Sequence, residues 1–242
     1  MLNYLGAEIY RLLHKKSLYI YFAILALDYV LLTYIRSGGF SDTSVVSDAA
    51  DFFFYLPALV GGFLFAAIYT DDLNAKNLIS LVGFGMNKLN IIVSKLILTL
   101  LFGILIFGLA PLLHIGAYAL FGSIANADGW VSIYAISLKF LLMTIGFSAL
   151  GGIVVYGLQR TTFAFVVYIL LALGIMSGLI SAALNSFAPF LTQFLLSNIT
   201  DGIMLGMMQG NSVFAPLIEY CLYVVLAVAL STLVFSKKEM EF

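Results

Sequence analysis

Charged side chains are scarce: they make up 10% of the 242 residues, against 63% hydrophobic, with a mean hydropathy of +1.10. A water-soluble domain lies near half apolar and a quarter charged, so this composition excludes one. The single cysteine, Cys221, leaves no disulfide framework and says little about redox compartment. The two histidines, His14 and His114, stand far apart without ligand-like neighbours, so no metal site is expected; His114 reads as a packed residue near the outer end of a span. Facing acidic or His-rich motifs for an intramembrane enzyme are missing, and no catalytic residue is assigned. A Walker A pattern is missing too: Gly83, Gly85 and Lys88 are too closely spaced, and no Ser or Thr follows the Lys. A formal net charge of −1 gives no basis for nucleic-acid binding. Strict alternation of apolar and polar residues does not occur, which removes an outer-membrane barrel.

What the chain has is long apolar runs. A bilayer core needs roughly 20 apolar residues per helix, and the runs Ser17–Arg36, Phe52–Thr70, Leu89–Phe121, Val131–Gly157, Thr161–Leu184 and Ala215–Phe235 qualify. The expected fold is therefore all-α: a single transmembrane domain over 1–242 with six transmembrane helices. Arg11, Lys15, Lys16, Lys76, Lys88, Lys95, Arg160, Lys237 and Lys238 fall on one side, and Asp42, Asp48, Asp51, Asp128 and Asp201 on the other. The positive-inside rule then puts both termini in the cytoplasm.

Residues 1–16 carry no cleavable signal, because the basic residues follow the apolar stripe. Leu2, Leu5, Ile9, Leu12 and Leu13 recur at helical spacing, with Asn3, Glu8, Arg11 and Lys15 on the other face. This describes an interfacial helix held by its apolar face and by cations near anionic lipid. Asp28 lies about 16 Å up the first span, and Lys139 about 17 Å above the inner edge of the core. Equal depths make them an intramembrane charge pair, fixing packing or handling protons. Gly61-Gly62 gives a close-packing surface in the second span, and Pro111 is expected to kink the third. Trp130 and Tyr134 anchor the outer start of the fourth span, and Gln159-Arg160 makes a tight turn into the fifth.

The polar interruption between the second and third spans is the most informative stretch. Leu73, Leu78, Ile79, Leu81 and Val82 alternate with Asp71, Asp72, Asn74, Lys76 and Asn77, which suits a short amphipathic helix, and Gly83 and Gly85 allow a turn after it. Asp71-Asp72 also suit the helix N-terminus as caps. An acidic pair, an amphipathic segment, a Gly turn, a basic residue and Ser94-Lys95 in this order resemble the membrane subunits of type-2 ATP-binding-cassette (ABC) exporters. In that family the segment carries a Gly-Thr pair, here Lys76-Asn77, and an Arg, here Lys88. The resemblance implies ATPase coupling through a cytoplasmic segment, 71–88, with Asp71, Asp72, Lys76, Gly85, Lys88 and Lys95. It also implies cytoplasmic ABC ATPase subunits as partners, which hold ATP and Mg, and a second permease copy (homodimer or close relative). The chain itself then needs no cofactor.

Residues 185–214 contain no Lys or Arg, and their apolar clusters are too short to span, so an outer re-entrant segment is expected. Met204, Met207 and Met208 give it an adaptable apolar surface, an outer gate or cargo contact together with Glu219, or else a packed lid. The function expected is export of a small amphiphilic peptide (bacteriocin or toxin) or hydrophobic drug across a bacterial cytoplasmic membrane. The alternative is a proton-coupled secondary transporter using Asp28, Lys139 and Glu219.

Overall fold

The computed structural model describes residues 2–36, 45–70, 81–83, 85–121 and 128–237, and all regular structure among them is helical. Leu2–Leu13 forms α1 and Lys16–Arg36 forms α2. Their elbow is held by the Lys15 N–H on the Leu12 carbonyl (3.2 Å) and the Leu18 N–H on the Lys15 carbonyl (2.9 Å). Helix α3 runs Val45–Thr70, α4 Lys88–Phe121 and α5 Asp128–Leu158. Then come α6 Thr161–Ala172, α7 Ile175–Phe187, a 3-10 stretch Pro189–Phe194, α8 Leu196–Gln209 and α9 Phe214–Lys237.

Among the described residues α3, α4, α5 and α9 are each long and apolar enough to cross a membrane; α6 with α7 would be a fifth crossing, though the pair is bent by 65°. The first expected run is α2, helical over 21 residues. Helix α5 is the hub, with α3, α4, α6, α8 and α9 all packed against it. Trp130 and Tyr134, near its start, are both exposed, as suits aromatic anchors.

Two departures from the sequence reading have physical causes. Helix α3 begins at Val45, seven residues before the expected start, because Asp48 suits a helix first turn and its carboxylate accepts a hydrogen bond from the Tyr118 hydroxyl of α4. Helix α4, with Pro111 inside it, holds the expected run Leu89–Phe121 as one element of 34 residues. The run 161–184, expected as one span, breaks at Gly174, whose φ of 76° is a left-handed conformation that other residues rarely adopt. Two π-helical turns, Pro57–Gly61 and Ala66–Thr70, interrupt α3 around the short α segment Gly62–Phe65. Such turns are uncommon and cluster at functional sites.

Candidate functional site

The face that α1 turns toward the body is not purely apolar. Leu5 and Leu12 enter the main core, and Glu8 between them is only 8% exposed. A buried carboxylate is costly unless it is paired. Glu8 Oε2 accepts from Arg11 Nη2 at 2.7 Å and from Lys95 Nζ of α4 at 3.3 Å. Lys95 is 1% exposed, and its ammonium also lies 5.6 Å above the Tyr4 ring. Arg11 Nη2 donates as well to the Ala67 carbonyl, at 3.1 Å, inside the second π turn of α3. One carboxylate therefore ties α1 to α4, and one guanidinium ties α1 to α3. These are the two helices that bracket residues 71–87.

Lys95 was singled out by its place in the sequence; its ammonium points into the protein, onto Glu8 and Tyr4. Glu8 and Arg11 read from sequence as part of the polar face opposite the apolar stripe, and their role here was missed. The available signal was Glu8 itself, one carboxylate three residues before Arg11 in an otherwise basic segment. Asp71, Asp72 and Lys76 lie outside the described residues. Gly85 takes φ 80° and closes the helical turn at 81–83: its N–H bonds the Val82 carbonyl (2.9 Å) and the Met86 N–H bonds Leu81 (3.1 Å). This paired arrangement is how a helix commonly ends on glycine.

Lys88, at the start of α4, donates to the Phe235 carbonyl at 2.8 Å and lies 4.9 Å above the Phe235 ring. It caps the last turn of α9, where carbonyls lack intrahelical donors and the helix dipole favours a cation. Lys88→Met is expected to cost about 1–2 kcal/mol. Hydrogen exchange at residues 232–237 would rise selectively; unchanged exchange there would count against the cap.

On the outer side of the expected topology, Lys139 of α5 meets Asp201 of α8 at 2.6 Å, which pins α8 to α5. The expected partner, Asp28, has its side chain outside the described residues. Helix α8 buries Leu196, Ile199, Thr200 and Ile203, while Met204 is partly buried and Met207 and Met208 are exposed. Glu219 is exposed on α9. The structure therefore brings Lys139 to α8 and keeps Met207, Met208 and Glu219 on the surface of the chain.

Toward the far end of α4, His114 is fully buried. Its Nε2 lies 2.8 Å from the Val45 carbonyl, which can only accept, so Nε2 carries the proton and Nδ1 accepts from the Tyr29 hydroxyl. His114 thus fastens α2 and α3 to α4 as a packed residue. Among the described residues no three His, Cys, Asp or Glu side chains gather to hold a metal ion. No protein-family model matches the chain, and a search of curated proteins finds no match.

Proposed function

We propose that this chain is the membrane subunit of an ATP-driven exporter of the type-2 ABC kind, with six spans and both termini in the bacterial cytoplasm. A separate ATPase supplies the energy, holding ATP and Mg, and a second permease, the same chain or a relative, completes the pathway. The observation that carries this reading is the Glu8–Arg11–Lys95 cluster, because it makes α1, α3 and α4 move together around residues 71–87. A push on that segment would tilt α3 and α4 as one body and, through their packing, α5. The π turns of α3 give that helix a place to yield next to the push. Cargo that suits so apolar a chain is a small amphiphilic peptide, with hydrophobic drugs next.

A proton relay through Asp28, Lys139 and Glu219 gains no support: Lys139 is engaged by Asp201, and Glu219 is exposed. The test joins topology to energy supply. In a Cys221→Ser background, Lys76→Cys should react with a membrane-impermeant maleimide only in inside-out vesicles. Vesicles holding the chain with its co-purified ATPase should then accumulate an amphiphilic peptide on ATP addition and not respond to an uncoupler. Labelling of residue 76 from outside, or transport that an uncoupler abolishes and that needs no ATPase, would overturn the reading.

A further inference from the structure

Helices α2, α3 and α4 meet at His114 but leave a gap along the rest of their seam. Between them lies an apolar groove of about 440 Å³, walled by Phe22 and Leu25 of α2, Leu56 and Val60 of α3, and Phe102 and Leu109 of α4. That volume is within the ~300–1,000 Å³ of small-ligand sites. Its lining runs along α2 from Leu18 to Val30, about 18 Å, and along α4 from Phe102 to Leu113, about 16 Å, at ~1.5 Å per residue. Half of a ~30 Å hydrocarbon core is about 15 Å. The groove is therefore about one leaflet deep.

Two observations select the occupant. Among the described lining residues the only polar side chains are the two tyrosines, and both hydroxyls are engaged: Tyr19 donates to the Leu13 carbonyl at 2.7 Å and Tyr29 bonds His114. A peptide backbone placed here would leave its N–H and C=O groups unsatisfied, whereas a hydrocarbon tail requires no partners. At the α1–α2 elbow Leu13, Leu18 and Tyr19 line the groove, and the chain between Leu13 and Leu18 carries exposed Lys16, with Lys15 and His14 beside it in sequence. That end is cationic, and an anion is its complement. We infer that this groove holds one acyl chain of an anionic phospholipid, its phosphate at Lys16 and its tail between α2 and the α3–α4 pair. The inference goes beyond the exporter reading and requires only that the chain lies in a bilayer.

The test is native mass spectrometry of the full chain in mild detergent with equimolar phosphatidylglycerol and phosphatidylcholine. One phosphatidylglycerol should be retained, about fivefold over phosphatidylcholine, since one lysine near an anionic surface is worth about that factor. Ala26→Phe and Ala110→Phe fill the groove from opposite walls and should each lower retention at least fivefold. Lys16→Glu should keep a bound lipid and lose the headgroup preference. Melting temperatures are read alongside, because a filled groove can also unseat α2. An independent reading on the unaltered chain uses spin-labelled phosphatidylglycerol, whose immobilised fraction unlabelled phosphatidylglycerol should displace and phosphatidylcholine should not. Equal retention of the two lipids, wild-type retention in both groove-filled variants, or no immobilised fraction would overturn the assignment.

Discussion

Glu8→Gln is expected to lower stability by about 3–5 kcal/mol, the usual cost of removing one member of a buried ion pair. At roughly 2–4 °C per kcal/mol for a chain of this size, the melting midpoint in detergent should fall by about 10 °C. The effect is large because Lys95, at 1% exposure, cannot turn to solvent when its carboxylate is lost. Lys95→Met should cost a similar amount by taking one of its two cations, Lys95 and Arg11, from the buried Glu8. Glu8→Leu combined with Lys95→Met should recover most of the loss, because apolar side chains of similar volume replace buried ions at little net cost. The singles and the double form a thermodynamic cycle, and a strong departure from additivity is expected. Additive singles costing less than 1 kcal/mol each would mean that the cluster does not hold α1. The double variant also separates stability from coupling. On the proposed exporter reading, a stable protein whose ATPase turns over without moving cargo is the result expected if α1 transmits motion through this contact.

The helices were legible in the sequence, and their neighbours were not, for one physical reason. A helix such as α4, apolar along its length, has no face that its sequence prefers to bury, so hydropathy fixes its extent and leaves its azimuth open. Lys139 shows the consequence. Depth arithmetic equates heights along the membrane normal but cannot tell which helix stands beside which, so it gave no sign that Asp201 of α8 lies at Lys139. The break at Gly174 was hidden because a glycine inside an apolar run resembles the close-packing glycines on either side of it. Helix α1 was recognised as amphipathic, but Glu8 was assigned to its outer face. Its burial depends on Lys95, 87 residues away, and no local pattern carries that information. Where local chemistry decided the outcome, at the Gln159-Arg160 turn and the Gly85 helix end, the sequence sufficed.

Gly61→Ala is expected to be the most damaging small substitution in the membrane body. A Cβ at residue 61 would lie 2.1 Å from the Tyr168 hydroxyl and 2.9 Å from the Thr144 methyl. Tyr168 cannot swing away, because it is fully buried, its ring stacks on Phe65 at 4.6 Å, and its hydroxyl donates to the Pro57 carbonyl at 3.0 Å. Overpacking of this kind costs about 1–3 kcal/mol. Displacing the hydroxyl adds about 1–3 kcal/mol for a buried group left without its partner. Together they should lower the midpoint by about 10 °C. Tyr168→Phe alone should cost about 1–2 kcal/mol, since it removes the hydroxyl and leaves the ring stack in place. The decisive result is the double variant. Tyr168→Phe removes the atom that the new methyl meets most closely, leaving the Thr144 methyl at 2.9 Å and the ring carbon that bore the hydroxyl at 3.3 Å. Gly61→Ala with Tyr168→Phe should therefore be more stable than Gly61→Ala alone, a reversal of sign for the tyrosine change. If Tyr168→Phe destabilises both backgrounds equally, α3 and α6 do not meet at Gly61. In that case the Tyr168 hydroxyl would still hold the π turn Pro57–Gly61 through the Pro57 carbonyl, but residue 61 would not be the point of close approach.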